Sequence, residues 1–157
     1  MAHKRKSWRE KLLDSKDLPK VVKIAGRMSR RWGVGTVAIP APLDVDALMR
    51  KVPKGRLTTI NEIRKAVAAR HGATIGCPIC CGIFSWVSAH AAAEDAAAGR
   101  KLMTPWWRTL KSEGQLNEKY PGGVEDQAKL LAAEGHTIAR RGKKTVVVDY
   151  ERKLAGL

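Results

Sequence analysis

The chain has 157 residues, enough for one domain with a real core, or for one domain carrying an extended arm. Thirty Lys and Arg against fifteen Asp and Glu leave a formal net charge of +15, far from what an enzyme acting on a neutral substrate needs. A basic surface of that size concentrates anions, so nucleic acid is the expected partner, and a face that merely keeps the protein soluble is the plain alternative.

The first 35 residues carry eleven Lys and Arg against Glu10, Asp14 and Asp17, a local charge of +8 and about half of the whole excess. Ser7 is placed to cap a short helix from Trp8 to about Leu13. The rest, with Gly26, Gly33 and Gly35, reads as an irregular basic arm, so residues 1–40 are expected to be a partly irregular N-terminal extension. Pro40 and Pro42 close a linker, and Asp44 begins a helix with Val45, Leu48 and Met49 inward.

Lys51-Val52-Pro53-Lys54-Gly55 is a turn. Thr59-Ile60-Asn61-Glu62 is a capping box in front of a helix with Ile60, Ile63, Ala66 and Val67 on one stripe and Gly72 as its stop. A second helix is expected from about Gly82 to Ala98. Its residues Ser85, Ser88, Ala89, Ala92 and Ala96 fall on one face and are all small, which lets another helix or a nucleic-acid groove come close. Two helices with a short connection make a helix-turn-helix shape.

Thr104-Pro105-Trp106-Trp107-Arg108-Thr109-Leu110 follows. Neighbouring side chains of an extended segment point to opposite faces, so one tryptophan faces the core while the other lines a pocket or meets a partner. Arg108 is a planar cation able to fork onto a phosphate. Leu110 to Asn117, around Ser112-Glu113-Gly114, reads as a small hairpin or wing, and Tyr120-Pro121-Gly122-Gly123 as a tight loop. A helix from about Val124 to Glu134 turns Ala128, Leu130 and Leu131 inward. The tail from His136 to Val148 is a hairpin turning near Gly142, and residues 139–157 are grouped as a C-terminal hairpin and tail.

Together these pieces resemble the DNA-binding domain of the O6-alkylguanine-DNA alkyltransferase family over residues 44–138. The carriers are Val52-Pro53-Lys54-Gly55-Arg56-Leu57-Thr58-Thr59, Pro105-Trp106-Trp107-Arg108, Tyr120-Pro121-Gly122-Gly123 and Leu130-Leu131-Ala132-Ala133-Glu134-Gly135-His136. The resemblance implies an α+β fold, mainly helical with small hairpins, built as a winged helix-turn-helix domain over residues 41–138. Where the family places its nucleophilic cysteine and the adjacent histidine, this chain has Trp106 and Trp107, and only Glu134 remains of the relay. An indole offers neither a thiolate nor a nitrogen that titrates near neutrality, so methyl transfer is expected to be absent. This looks like the non-enzymatic, alkyltransferase-like branch, which also carries tryptophan for the cysteine but keeps the histidine. Ile60 stands where the family has a tyrosine on the target phosphate, and Ile83 or Phe84 lies nearest the place of its intercalating arginine, as an apolar wedge.

The function so implied is recognition of alkylated bases in double-stranded DNA by nucleotide flipping, with the lesion flagged for repair, nucleotide-excision-repair proteins being the implied partners. Pro105, Trp106, Tyr120, Pro121, Gly122 and Gly123 would line the lesion pocket. Lys54, Arg56, Thr58, Thr59, Ile83, Phe84, Ser85, Ser88, Ala89 and Arg108 would meet the DNA. Two rival readings share the scaffold: an enzyme using a clustered cysteine or Glu134, and a general nucleic-acid binder without lesion preference. Cys77-Pro78-Ile79-Cys80-Cys81 admits a zinc site, a redox role or plain packing, and packing is the reading adopted, with no metal and no cofactor expected. No run of eighteen apolar residues occurs and Met1 to Lys6 has no apolar stretch behind it, so no membrane contact is expected and a cytoplasmic, nucleoid-associated location is.

Overall fold

The computed structural model describes residues 5–157. Among them are six α-helices and seven short strands, an α+β architecture in which one long helix carries the packing. The first helix, α1 (Trp8–Leu13), is capped as its sequence foretells, with Ser7 Oγ accepting the N–H of Glu10. The stretch after it departs from the expected irregular arm. Lys20–Lys23 (β1) and Thr36–Ile39 (β2) pair antiparallel, with helix α2 (Met28–Trp32) between them. The β-branched Thr36, Val37 and Ile39 are the available signal, hidden by the basic, glycine-rich stretch before them.

Pro42–Arg50 form α3, whose Asp44 carboxylate accepts the N–H of Ala41 and so caps the helix it is expected to begin. Thr58–Thr59 (β3) lead into α4 (Ile60–His71). Thr59 Oγ1 accepts the N–H of Glu62, half of the expected capping box, while the Glu62 carboxylate turns to Lys65. Gly72 ends the helix in the left-handed region. Ile75–Gly76 (β4) then pairs parallel with β2, completing a sheet of order β1-β2-β4.

The central helix, α5 (Pro78–Ala97), begins four residues before the expected Gly82. Pro78 occupies its first turn, where a missing N–H costs nothing, and the Cys77 sulfur accepts the N–H of Cys80 as the cap. Cysteine is not among the usual capping residues, so the sequence alone gives no start signal there. The small face of α5 is buried: Ser85, Ser88, Ala89 and Ala92 are 0–4% exposed. It lies against α3, so closeness is used for helix packing and not for a groove of DNA. Asp46 of α3, itself buried, ties the layers by accepting from Ser88, Thr104 and Arg50.

The expected wing over Leu110–Asn117 is not a hairpin. Thr109–Leu110 (β5) pairs parallel with β3, and Ser112–Gly114 form a 3-10 turn in which Glu113 and Gly114 both have left-handed φ. A side chain on Gly114 would run into the Tyr150 ring, so glycine is required there. Helix α6 (Gly123–Ala133) buries Leu131, but Leu130 lies on the surface. The inward position is taken instead by Gln127, which accepts from the Asn117 N–H and donates to the carbonyls of Trp107 and Thr109. The C-terminal hairpin is present as β6 (Ile138–Arg141) and β7 (Lys144–Val147), turning at Gly142. It docks on the 3-10 turn by a Gln115–Val146 bridge and a bond from the Leu116 N–H to Thr145.

Two cores result. Met49, Ile63, Val67, Cys81, Ala89 and Trp106 make the larger, between α3, α4 and α5. Leu57, Leu110, Leu116, Leu131 and Val147 make the second, under α6 and the hairpin. The Trp106–Trp107 segment sits where they meet, since Trp107 packs on both.

Candidate nucleic-acid interface

Trp106–Arg108 form a single 3-10 turn, entered from the Trp106 N–H bonded to Thr104. Three residues per turn set neighbours about 120° apart and not on opposite faces, and both tryptophans reach the same cavity. Their rings stand edge to face, centroids 5.8 Å apart and 86° between planes. Tyr120 meets Trp106 in the same manner at 5.6 Å. Trp106 is the more buried of the pair at 8% exposure, and Trp107 is half-buried.

Both indoles wall a mainly apolar cavity of about 510 Å³. Ala92, Ala93 and Ala96 of α5 open one wall, Met103 and Pro121 close it, and Asp126, Lys129 and Leu130 of α6 line the other side. The alanine run of α5 thereby does two things: its first part packs on α3, and its last part leaves room beside the tryptophans. Of the expected lesion-pocket residues, Trp106 and Pro121 line this space. Tyr120 is buried behind Trp106, its phenol pushed up by burial. Gly122 and Gly123 shape the loop from outside: the Gly123 N–H bonds to the Tyr120 carbonyl, and a Cβ on Gly122 would strike the Asp126 carboxylate. Pro105 sets the start of the 3-10 turn and is not part of the wall. The one-turn spacing of Asp126, Lys129 and Leu130 is the sequence signal for the far wall, and reading Leu130 as core conceals it.

A second, open concavity of about 390 Å³ runs between the N-terminal turns of α4 and α5 and the loop 111–119. Ile60 and Arg64 come from α4, Pro78, Gly82 and Trp86 from α5, and Lys111 and Lys119 from the loop. Lys119 lies over the Trp86 ring, 5.8 Å from its centroid. Ile83 is on the exposed side of α5 near this groove and Ile79, one turn earlier, is more exposed still. Phe84 packs against the larger core, which removes it as a wedge.

Several residues expected at the DNA are committed elsewhere. Arg108 is held by Glu134 and by the Val52 carbonyl, with its guanidinium 5.3 Å from the Trp107 ring, so it is not free to fork onto a phosphate. Thr58 is fully buried in β3 and Thr59 is spent on its cap. Ser85, Ser88 and Ala89 lie inside the core. Lys54 and Arg56 belong to the turn before β3, though neither lines the groove or the cavity. Glu134 also accepts the indole N–H of Trp107 at 3.1 Å. Burial alone would raise its carboxyl, but the bonds from Arg108 and Trp107 outweigh that and hold it below the ordinary carboxylate range.

No protein-family model matches this chain, and no curated protein matches it. Solved structures do. A crystal structure of Schizosaccharomyces pombe Atl1 with damaged DNA containing O6-carboxymethylguanine is 19% identical, with a TM-score of 0.53, and covers 74% of this chain and 94% of its own. A structure of S. pombe ATL in complex with DNA matches with the same figures. The fold is that of the Atl1 structures. The share covered leaves about a quarter of this chain without an Atl1 counterpart.

Proposed function

We propose that this chain is a non-catalytic DNA-binding protein that receives an alkylated base, O6-alkylguanine in the first instance, in the cavity walled by Trp106 and Trp107. The observation that carries the reading is that cavity: apolar, aromatic-walled and large enough for a small ligand, on a fold shared with a protein solved on damaged DNA. The net charge of +15 supports a duplex as the partner. Flipping a nucleotide costs a few kcal/mol, and least for a damaged or mispaired base, so the flip itself favours lesions. An extrahelical base then stacks on indole faces, worth about 1–3 kcal/mol per base.

Duplex backbone lies along the groove of Arg64, Lys111 and Lys119, and the exposed Ile79 and Ile83 are the side chains available to fill a vacated stack. No cysteine lines the cavity, so methyl acceptance by the Cys77–Cys81 cluster has no geometric support. The same reading makes the bound protein a flag for repair factors, among them nucleotide-excision-repair proteins, and places it with the chromosome.

The test is a mobility-shift series on matched duplexes with and without O6-methylguanine, run beside an assay for transfer of labelled methyl to protein. Preference for the lesion duplex with no label on the protein is the expected result. Equal affinity for both duplexes would leave only a general DNA binder, and label on the wild-type chain would make it an enzyme.

A further inference from the structure

The three cysteines lie at the far end of α5 from its C-terminal, cavity-lining alanines and have no part in the reading above. Cys77 caps α5 and Cys80 sits in its first turn, with the Cys80 N–H donating to the Cys77 sulfur at 3.4 Å. The backbone around them is fixed: the Cys77 N–H donates to Ala38 and its carbonyl accepts from Cys81. Arg64, tied to the neighbouring Gly76 carbonyl at 2.9 Å, brings a guanidinium to the same corner. The neighbouring Cys80 thiol, with the helix N–H groups and the charge of Arg64, draws the Cys77 thiol down to about 6 against the opposing effect of burial. The Cys77 sulfur beside it, with burial, pushes Cys80 up. Cys81 is fully buried and pushed up to about 12 by burial, which makes it inert. An attacking thiolate and a protonated partner in the same CxxC turn are the two components that disulfide exchange requires.

We propose that Cys77 and Cys80 are a redox-active dithiol that closes reversibly to a disulfide by exchange with a small disulfide such as oxidised glutathione. The Cys77 thiolate attacks one sulfur of oxidised glutathione, forming a mixed disulfide and releasing one glutathione thiolate. Cys80 loses its proton to that thiolate, and its sulfur then displaces the second glutathione thiolate from Cys77. Two electrons pass from the protein to oxidised glutathione, and two glutathione molecules leave. Cys77 is 4% exposed, so exchange is slower than at a surface thiol. The site borders the groove through Pro78 and Gly82, and closure removes the thiolate charge from that border.

The experiment uses the full-length chain equilibrated in glutathione buffers, quenched in acid, unfolded in guanidinium at neutral pH with excess maleimide so that every remaining thiol is labelled, and weighed intact. Expected in the oxidising buffer is loss of two labelled thiols and two hydrogens per chain, Cys81 remaining labelled, with full reversal by reduced glutathione. Cys81→Ser should behave as wild type. Cys80→Ser should stop at a glutathione adduct on Cys77, and Cys77→Ser, in which serine keeps the cap, should react about tenfold more slowly or less. Three labelled thiols per chain after the oxidising buffer would overturn the proposal, as would a disulfide in Cys77→Ser. Circular dichroism of each variant confirms that it is folded. No readout involves DNA, so failure here and failure of the lesion-binding reading are separate results.

Discussion

Arg108 closes a two-pronged ion pair onto Glu134, with Nη2 2.7 Å from Oε2 and Nε 2.9 Å from Oε1. Both side chains are largely buried, at 13% and 7% exposure, and Trp107 adds its N–H to the same carboxylate. The pair links the tryptophan turn to the end of α6, and through the Val52 carbonyl to the turn before β3. Truncating one partner leaves the other charged and buried. Glu134→Ala and Arg108→Ala are each expected to cost about 3–5 kcal/mol in urea denaturation, and the double variant less than the two together. Additive costs would show that the pair is not coupled.

Acid should weaken the protein in two stages. The His136 imidazole is pushed below its ordinary 6.5, chiefly by burial against the opposing charge of Glu134. The unfolded chain therefore takes up this proton first, and stability starts to decline as pH falls below about 6.5. Glu134 is held below its ordinary 4.5, so the stability it contributes is present above that value and is lost as pH falls through its lowered native one. Denaturation midpoints measured from pH 8 to pH 3 should fall throughout, and His136→Gln should flatten the upper stage alone.

Trp106→Ala is expected to cost about 3–5 kcal/mol of stability, because its ring is core as well as wall. Lesion discrimination should fall by about 1–3 kcal/mol. Trp106→Phe keeps an aromatic wall and separates the two effects: the fold should hold, and the ratio of lesion to plain affinity should drop by less. Trp107→Phe removes the indole N–H from Glu134 and should cost about 1.5–3 kcal/mol with a smaller change in binding. Discrimination untouched by Trp106→Ala would exclude the cavity as the lesion site.

The basic extension should act on all duplexes alike. Arg27→Gln, Arg30→Gln and Arg31→Gln together should lower the slope of log affinity against log salt by about 0.9 for each phosphate no longer neutralised, without changing lesion preference. Deletion of residues 1–35 should do this and also destabilise the fold. Trp8 stacks on His90 at 4.5 Å and packs near Val87 and Ala91, while Glu94 accepts the N–H groups of Trp8 and Arg9. A deletion that left the melting temperature unchanged would contradict that docking.

The helices with amphipathic stripes are legible in the sequence: α3, α4 and α6 follow from Val45, Leu48 and Met49, from Ile63 and Val67, and from Leu131. So are the caps at Ser7 and Thr59 and the turn at Gly142. What hides the rest is partnership at a distance. Whether a small face meets a helix or DNA depends on Asp46, forty-two residues before Ser88. Whether Arg108 is free depends on Glu134, and whether Lys20–Lys23 forms a strand depends on β2. The tryptophan pair stands out in the sequence, but dividing its faces by strand alternation fails because the segment is a 3-10 turn.

The parallel pairing of β2 with β4 has a consequence for synthesis. Val37 and Ala38 find their parallel partners at Ile75 and Gly76, and α1 finds most of its seat on α5, at Val87 and Ala91. A chain emerging from its N-terminus therefore has only the β1–β2 pairing and α3 to hold its first forty residues until the long helix is complete, and those residues carry a dense positive charge beside a ribosome made largely of polyanion. Non-local pairing of this kind slows folding. Hydrogen exchange should then show β1 and β2 gaining protection together with β4 and α5, late and as a unit, and not as an independent early hairpin.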